Sequence, residues 1–362
     1  MRINLDSKPI KRDMDIYLLC TLIVLIHFST HLLLDVPLST SIYFETIIRA
    51  SILTGTLAMI VNFIRIIIIR EKKPIRAFLS PLLHHIKNPY ESINLIIILC
   101  FVSVVFSIYT TTKQFIPNLV PFYLDPFLVK ADYYLHFNNH PWELTHKLFN
   151  TSFLSGTLNL FYNLWFFFFW IFLMYFCFSK SRESLRKNSI ITFLLCWVIN
   201  GNILAILFSS AGPCYYDNLY QNSAPFGALF EVLNAQNLEL VQNNHFLGIW
   251  SLNIQDLLWQ SYISGSSTFG GGISAMPSMH VSVATLMALS LANMNRILGL
   301  LGWLYLIIIL IGSVHLGWHY ALDGYISILT TVAIWYAVKK YLPSSINRTT
   351  ESTNTPSLQQ GL

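Results

Sequence analysis

Pro277-Ser278-Met279-His280 and, one hydrophobic hairpin later, His315-Leu316-Gly317-Trp318-His319-Tyr320-Ala321-Leu322-Asp323 decide how this chain folds. Two apolar stretches lie between them, roughly 281–293 and 297–314, broken only by Asn293-Met294-Asn295-Arg296. Each is near the ~20 residues with which an α-helix crosses a bilayer. A chain that enters the membrane after His280 and turns back must surface beside its point of entry. The spacing therefore predicts that His280, His319 and Asp323 meet at one membrane face.

The rest of the chain is built for the same solvent. Of its 362 residues, 54% are hydrophobic and 11% charged, against about 25% charged in an ordinary soluble domain. This excludes a soluble fold and predicts an all-α, polytopic membrane protein of about eight transmembrane helices. The expected spans are 16–34, 47–69, 93–112, 157–178, 190–209, 277–294, 297–315 and 322–341. No small-residue cleavage site follows the first, so it reads as a retained helix. Basic residues cluster before span one (Arg2, Lys8, Lys11, Arg12), between spans two and three (Arg70, Lys72, Lys73, Arg76, Lys87) and between spans four and five (Lys180, Arg182, Arg186, Lys187). Arg296, Lys339, Lys340 and Arg348 add to the same side. That side is expected to be cytoplasmic, which puts both termini inside and both histidine clusters on the outer, periplasmic or lumenal, face. The net charge of +5 reflects this bias and is no sign of nucleic-acid binding. Four of the five cysteines lie in apolar spans, leaving Cys214 without an obvious partner in an outer loop. Asn150-Thr151-Ser152 is a glycosylation sequon on the expected outer side.

Three regions are expected. Residues 1–92 hold two N-terminal spans and a basic cytoplasmic loop. Residues 93–342 form a six-helix catalytic core, with an outer interfacial segment at 117–156 and an outer loop at 210–279. Residues 343–362, rich in Ser, Thr, Asn and Gln, read as a disordered cytoplasmic tail. Acidic, basic and aromatic residues mix in 117–156, as in helices lying in the interface. A membrane-surface connector and a wall of a headgroup pocket are both open for it. In the second case Lys130 would meet a lipid phosphate. The loop 210–279 has no Lys or Arg and is long enough to be functional, with short interfacial helices expected at 229–240 and 249–262. The aromatic run of span four is expected to face lipid or neighbouring helices.

Pro-Ser-x-His followed after a hairpin by His-Tyr-x-x-Asp resembles the fingerprint of the type 2 phosphatidic acid phosphatase superfamily. Upstream, Gly212-Pro213-Cys214-Tyr215-Tyr216 resembles the proline-aromatic element of the inositol phosphorylceramide synthase branch. The resemblance implies His319 as the nucleophile that forms a phosphohistidine, Asp323 as the group that fixes its tautomer, and His280 as general acid and then base. It also implies a six-helix lipid-phosphatase-like core and no metal or other cofactor, although His280, His315, His319 and Asp323 are metal-competent by ligand type. Pro277 suits a first helical turn, and the free N–H groups there offer an anion site to which Ser278 adds a hydroxyl. Tyr215, Tyr216 and Tyr320 are expected at the substrate with Ser278. His315, one turn before His319, either lines the pocket or only packs.

Two departures from the phosphatase pattern bear on function. The chain has no Arg-Pro, and Ser313 stands where the phosphatases place an arginine six residues before the second histidine. The inositol phosphorylceramide and sphingomyelin synthases also lack that arginine. The expected function is an integral-membrane lipid phosphotransferase that moves a phosphorylated headgroup, phosphoinositol among the candidates, from a membrane phospholipid donor to a lipid alcohol acceptor. The alternatives are a lipid phosphate or isoprenoid diphosphate phosphatase using the same histidine, and a non-enzymatic transporter or scaffold. The sequence leaves the oligomeric state open.

Overall fold

The structure, a computed structural model, describes residues 8–179, 182–265 and 270–341. The predicted tail at 343–362, and Arg2, Lys180 and Arg348 of the basic clusters, lie outside these. The described residues form an all-helical polytopic bundle with seven helices long and apolar enough to cross a membrane. In chain order, a short α1 (Lys8–Arg12) leads into α2 (Met14–Leu33), α3 (Phe44–Ile68), the amphipathic α4 (Pro74–Lys87) and α5 (Pro89–Leu119). Then α6 (Asp125–Leu135) and α7 (Pro141–Leu148) precede α8 (Ser152–Asn163) and α9 (Trp165–Phe178), which together make one crossing. Helix α10 (Glu183–Val198) runs through a π-helical turn at Ile199–Leu204 into α11 (Ala205–Leu207). The segment after it carries α12 (Tyr216–Tyr220), α13 (Gly227–Gln242) and α14 (Ser251–Ser264), ahead of α15 (Met279–Ala292), α16 (Arg296–His315) and α17 (Ala321–Tyr341).

Crossing follows crossing in alternate directions, so the connections collect at two ends. At one end Arg182 donates to the carbonyls of Asn293 and Met294, and the buried Asp13 pairs with Arg186 and accepts from Asn94. These contacts tie the α1–α2 junction to α5 and α10. At the other end lie the two histidine motifs and the α12–α14 segment.

The span expected at 277–294 is shorter than its apolar run suggested. The Ser278 hydroxyl accepts the Val281 N–H and opens α15, which stops at Asn293 after 14 residues. At 1.5 Å per residue this is about 21 Å, against ~30 Å for α16 and for a bilayer core. The end of α15 that carries His280 is therefore recessed by about two turns. The hairpin partners approach closely because Gly299 and Gly302 have no side chains. A Cβ on either would sit 2.7 Å from the Ala292 Cα or 2.8 Å from the Ala288 Cα, the small-residue contact that favours tight helix pairs in lipid.

The segment 117–156 is not a plain surface connector. Asp125, Leu128, Val129 and Asp132 are buried on one face of α6, at the i, i+3, i+4, i+7 spacing of an inward helical stripe. Likewise α13 does not float in the interface: Leu229, Leu233 and Leu240 are buried, and Gly156 of α8 gives Leu240 room to pack.

Candidate active site

Helix α16 ends where the site begins. Gly317 takes a left-handed φ of 71°, and the Trp318 and His319 N–H groups both turn back to the Ser313 carbonyl, a Schellman-type stop. A Cβ on Gly317 would meet the Phe230 ring at 2.7 Å, so the reversal needs glycine for space as well as for φ. The reversal folds residues 316–320 back over the recessed start of α15. His280 and His319 come to 6.4 Å between ring centroids.

Asp323 lies one turn after His319, wholly buried. Its Oδ2 accepts the Tyr320 N–H at 3.0 Å and stands 3.3 Å from His319 Nδ1, while Oδ1 has no partner among the described residues. With Nδ1 turned to the carboxylate, Nε2 is the nitrogen left for chemistry. The Asp323 carbonyl accepts the Ser278 N–H at 3.4 Å, linking the two motif halves. Burial first, and the nearby Lys113 charge second, push the His319 imidazole down to about 3, with a hydrogen bond to the Ala275 backbone pulling the other way. His319 is therefore neutral at physiological pH, the form in which it can attack phosphorus.

His280 is held by aromatic rings that no sequence signal assigned to the site. Tyr162 stacks on it at 4.7 Å and Trp165 packs at 4.2 Å between centroids, and the Trp165 N–H donates to the His280 carbonyl at 3.0 Å. Span four thus turns Tyr162, Trp165 and Phe166 of its aromatic run into the site. His280 Nε2 is buried without a partner among the described residues.

Both histidines line one cavity of about 340 Å³, within the ordinary size of ligand sites. Its wall includes Tyr43, Tyr109, Thr110 and Lys113 from the first half of the chain, Trp197 and Gly201 of the α10 region, and Tyr215, Gly272 and Trp318. Among the described residues its lining holds one lysine, no arginine and no carboxylate.

The remaining residues expected at the substrate are scattered. Tyr215 lines the cavity. Lys130 is exposed and outside the cavity wall, while Lys113 lines it. Tyr216 packs on Tyr220 and Phe226. Ser278 caps α15. His315 is buried, stacked on His146 at 3.8 Å and bonded to the Ser155 hydroxyl at 2.9 Å, outside the cavity wall. It therefore does not share a ligand set with His280, His319 and Asp323, and no group of three or more His, Cys, Asp or Glu side chains among the described residues is placed to hold a metal. Ser313 is buried and its hydroxyl donates to the Leu310 carbonyl.

Two carboxylates that sequence reasoning left in the interface prove to be the supports of the site. Asp125 accepts the Ala211 and Gly212 N–H groups at 2.8–3.1 Å and the Tyr320 hydroxyl at 2.9 Å. Asp132 accepts the Ala321 and Leu322 N–H groups at 2.7 and 3.1 Å, capping α17 from another helix just before Asp323. Burial pushes both carboxyls up, and these N–H donors pull them back. Their seven-residue spacing was the available signal. Asp132→Asn leaves one of the two N–H groups unmatched, a cost of about 1–3 kcal/mol. It should lower the melting temperature in detergent and reduce kcat more than it raises KM, as expected of a positioning residue. Unchanged melting and turnover would refute that support role.

Two histidines and a buried carboxylate gathered around a cavity at one end of a helical bundle define a membrane-embedded enzyme of phosphoryl chemistry. A family model described as the PAP2 superfamily matches residues 126–337, more than half of the chain, and the chain belongs to that superfamily. It is thus a phosphatase or phosphotransferase, for which a lipid substrate is plausible. No curated protein and no solved structure matches the chain significantly.

Proposed function

We propose that the protein is a lipid headgroup phosphotransferase that works through a phosphohistidine on His319. The observation that carries this reading is the cavity lining, which among the described residues holds two histidines and one lysine, without the arginine that a phosphate clamp would bring. Such a lining suits a phosphodiester, whose phosphate bears a single charge.

In the first step His319 Nε2 attacks phosphorus, the bond from phosphorus to the glycerol oxygen breaks, and His280 gives that oxygen its proton, releasing diacylglycerol. In the second step His280 takes the proton of a lipid alcohol, the alcohol oxygen attacks phosphorus, and the N–P bond breaks. Asp323 holds His319 in the Nδ1–H tautomer and offsets the charge of the imidazolium-like intermediate. The N–H groups at the start of α15, opened by Ser278, and Tyr215 would help orient the headgroup. Tyr320, His315 and Tyr216 act from behind the wall. Phosphoinositol is the headgroup favoured by the resemblance of Gly212–Tyr216 to inositol phosphorylceramide synthases. The test is the fate of headgroup-labelled phospholipid in mixed lipid: transfer yields a new phosphorus-containing lipid, while hydrolysis to the free phosphorylated headgroup or to phosphate points to the phosphatase alternative.

The same reading places the core at 93–342, with α2 and α3 as an N-terminal addition, and the site on the outer face. The support for sidedness is the basic bias of the opposite connections. Gln242→Cys should react with an impermeant thiol reagent applied from outside, and Ser184→Cys should not, each measured against the chain without the added cysteine. Labelling of Ser184→Cys alone would invert the orientation.

A further inference from the structure

We propose that Lys113 of α5 binds the donor's phosphate and sets the site's charge preference, an inference that rests on the phosphotransferase reading above. Lys113 lines the cavity that His280 and His319 line, on the helix face it shares with Tyr109 and Thr110. Among the described residues it is the only lysine or arginine in that lining, and no ion pair or hydrogen bond is found for its ammonium. A cation facing a poorly solvated cavity without a carboxylate is costly, and an anionic ligand offsets that cost. The surroundings are shaped for it. Gly272, with a φ of +87°, lies against the Lys113 stem so closely that a Cβ there would be 3.0 Å from its backbone carbon and 3.1 Å from Cγ. The charge is also near enough to depress the His319 imidazole, so an anion held by Lys113 would lie within reach of the nucleophile.

The position is unexpected because Lys113 precedes the region matched by the family, residues 126–337. The motif that carries the histidines brings no cation of its own here, Ser313 standing where the phosphatases have arginine. The helix before the matched region supplies it instead. Lysine offers one compact charge, unlike the bidentate fork of arginine, and one charge is what a phosphodiester requires.

The test uses the full chain purified in detergent, with orthovanadate as the phosphate-mimicking probe. Lys113→Met should raise the apparent Kd for orthovanadate, and the KM for a phosphodiester lipid, by about 10- to 100-fold, the effect of losing one charge-assisted contact. Lys113→Arg should recover most of both. Because the substitution removes an unpaired charge, ligand-free Lys113→Met should melt no lower than the parent. A structural lysine would give the reverse: a lower melting temperature, with Kd and KM within about twofold. That outcome, or a Lys113→Met and a Lys113→Gln chain that both fail to fold, would overturn the assignment. Failure of the phosphotransferase reading looks different: orthovanadate binding and KM still depend on Lys113, but the labelled headgroup is released to water and no lipid alcohol accelerates turnover.

Discussion

His319→Ala abolishes turnover, by at least about 10⁴-fold, in a protein that still folds; this is the largest effect the site predicts. The imidazole faces the cavity, with a 3.3 Å contact to Asp323 and a hydrogen bond to the Ala275 backbone, so little packing is lost with it. What is lost is the nitrogen that the proposed mechanism uses to take the phosphoryl group. His280→Ala should cost less, about 10²–10⁴-fold, because a missing general acid slows departure of the lipid alkoxide without removing the attack. Asp323→Asn should fall in the same range, since an amide can neither hold the Nδ1–H tautomer reliably nor balance an imidazolium. Label from a headgroup-phosphate-labelled donor should remain on the parent protein as an acid-labile, base-stable adduct and be absent from His319→Ala. A well-folded His319→Ala protein with more than about a tenth of parental turnover would sink the mechanism. The pH dependence has a definite sign. The free-protein value of His319 lies below the ordinary 6.5, at about 3. The neutral nucleophile therefore persists as pH falls through 6.5 and is lost only far into acid. An acid limb of kcat/KM near 6.5 would belong to another group.

The crossings and the meeting of the two histidine motifs were legible because apolar runs and turn residues are local signals. A run of about 20 apolar residues can only be a span, and a hairpin of two such runs must bring its ends together. The length of α15 was less legible: the expected span at 277–294 overran both ends of the helix, whose limits are set by the Ser278 cap and the turn at Asn293. The supports and the wall were not legible at all. Whether Asp125 and Asp132 solvate a surface or cap backbone N–H groups on other elements depends on what packs over α6. Tyr162 and Trp165 are two among many aromatics of one apolar span, and hydrophobicity carries no record of which ring meets His280. Lysines show the same limit. Lys130 sits among aromatic and acidic residues that suggest a headgroup pocket, yet it is exposed. Lys113, just past the expected span at 93–112, had no assigned role and lines the cavity. Composition does not record which of them a cavity will enclose.

Discrimination between donors by charge is the second large effect. A phosphomonoester such as phosphatidic acid carries up to two charges on its phosphate, a phosphodiester one. Among the described residues the cavity lining offers one lysine, Lys113, and two histidines, of which His319 is kept neutral by burial. The start of α15 adds N–H dipoles but no full charge. A second phosphate charge would have to be matched by protonating His319, which the mechanism needs neutral for attack, or be left poorly paired in a dry cavity, and either is costly. Phosphatidic acid should therefore be hydrolysed at least about tenfold more slowly, in kcat/KM, than a phosphodiester donor is consumed when a lipid alcohol is present. Release of diacylglycerol from the diester should rise with acceptor concentration, since the second half of the reaction needs a hydroxyl that His280 can deprotonate. Chelators should change neither rate appreciably, because no step draws on a metal. Rapid conversion of phosphatidic acid to free phosphate, with diester turnover indifferent to added lipid alcohol, would make water the acceptor and assign the same histidines to a phosphatase.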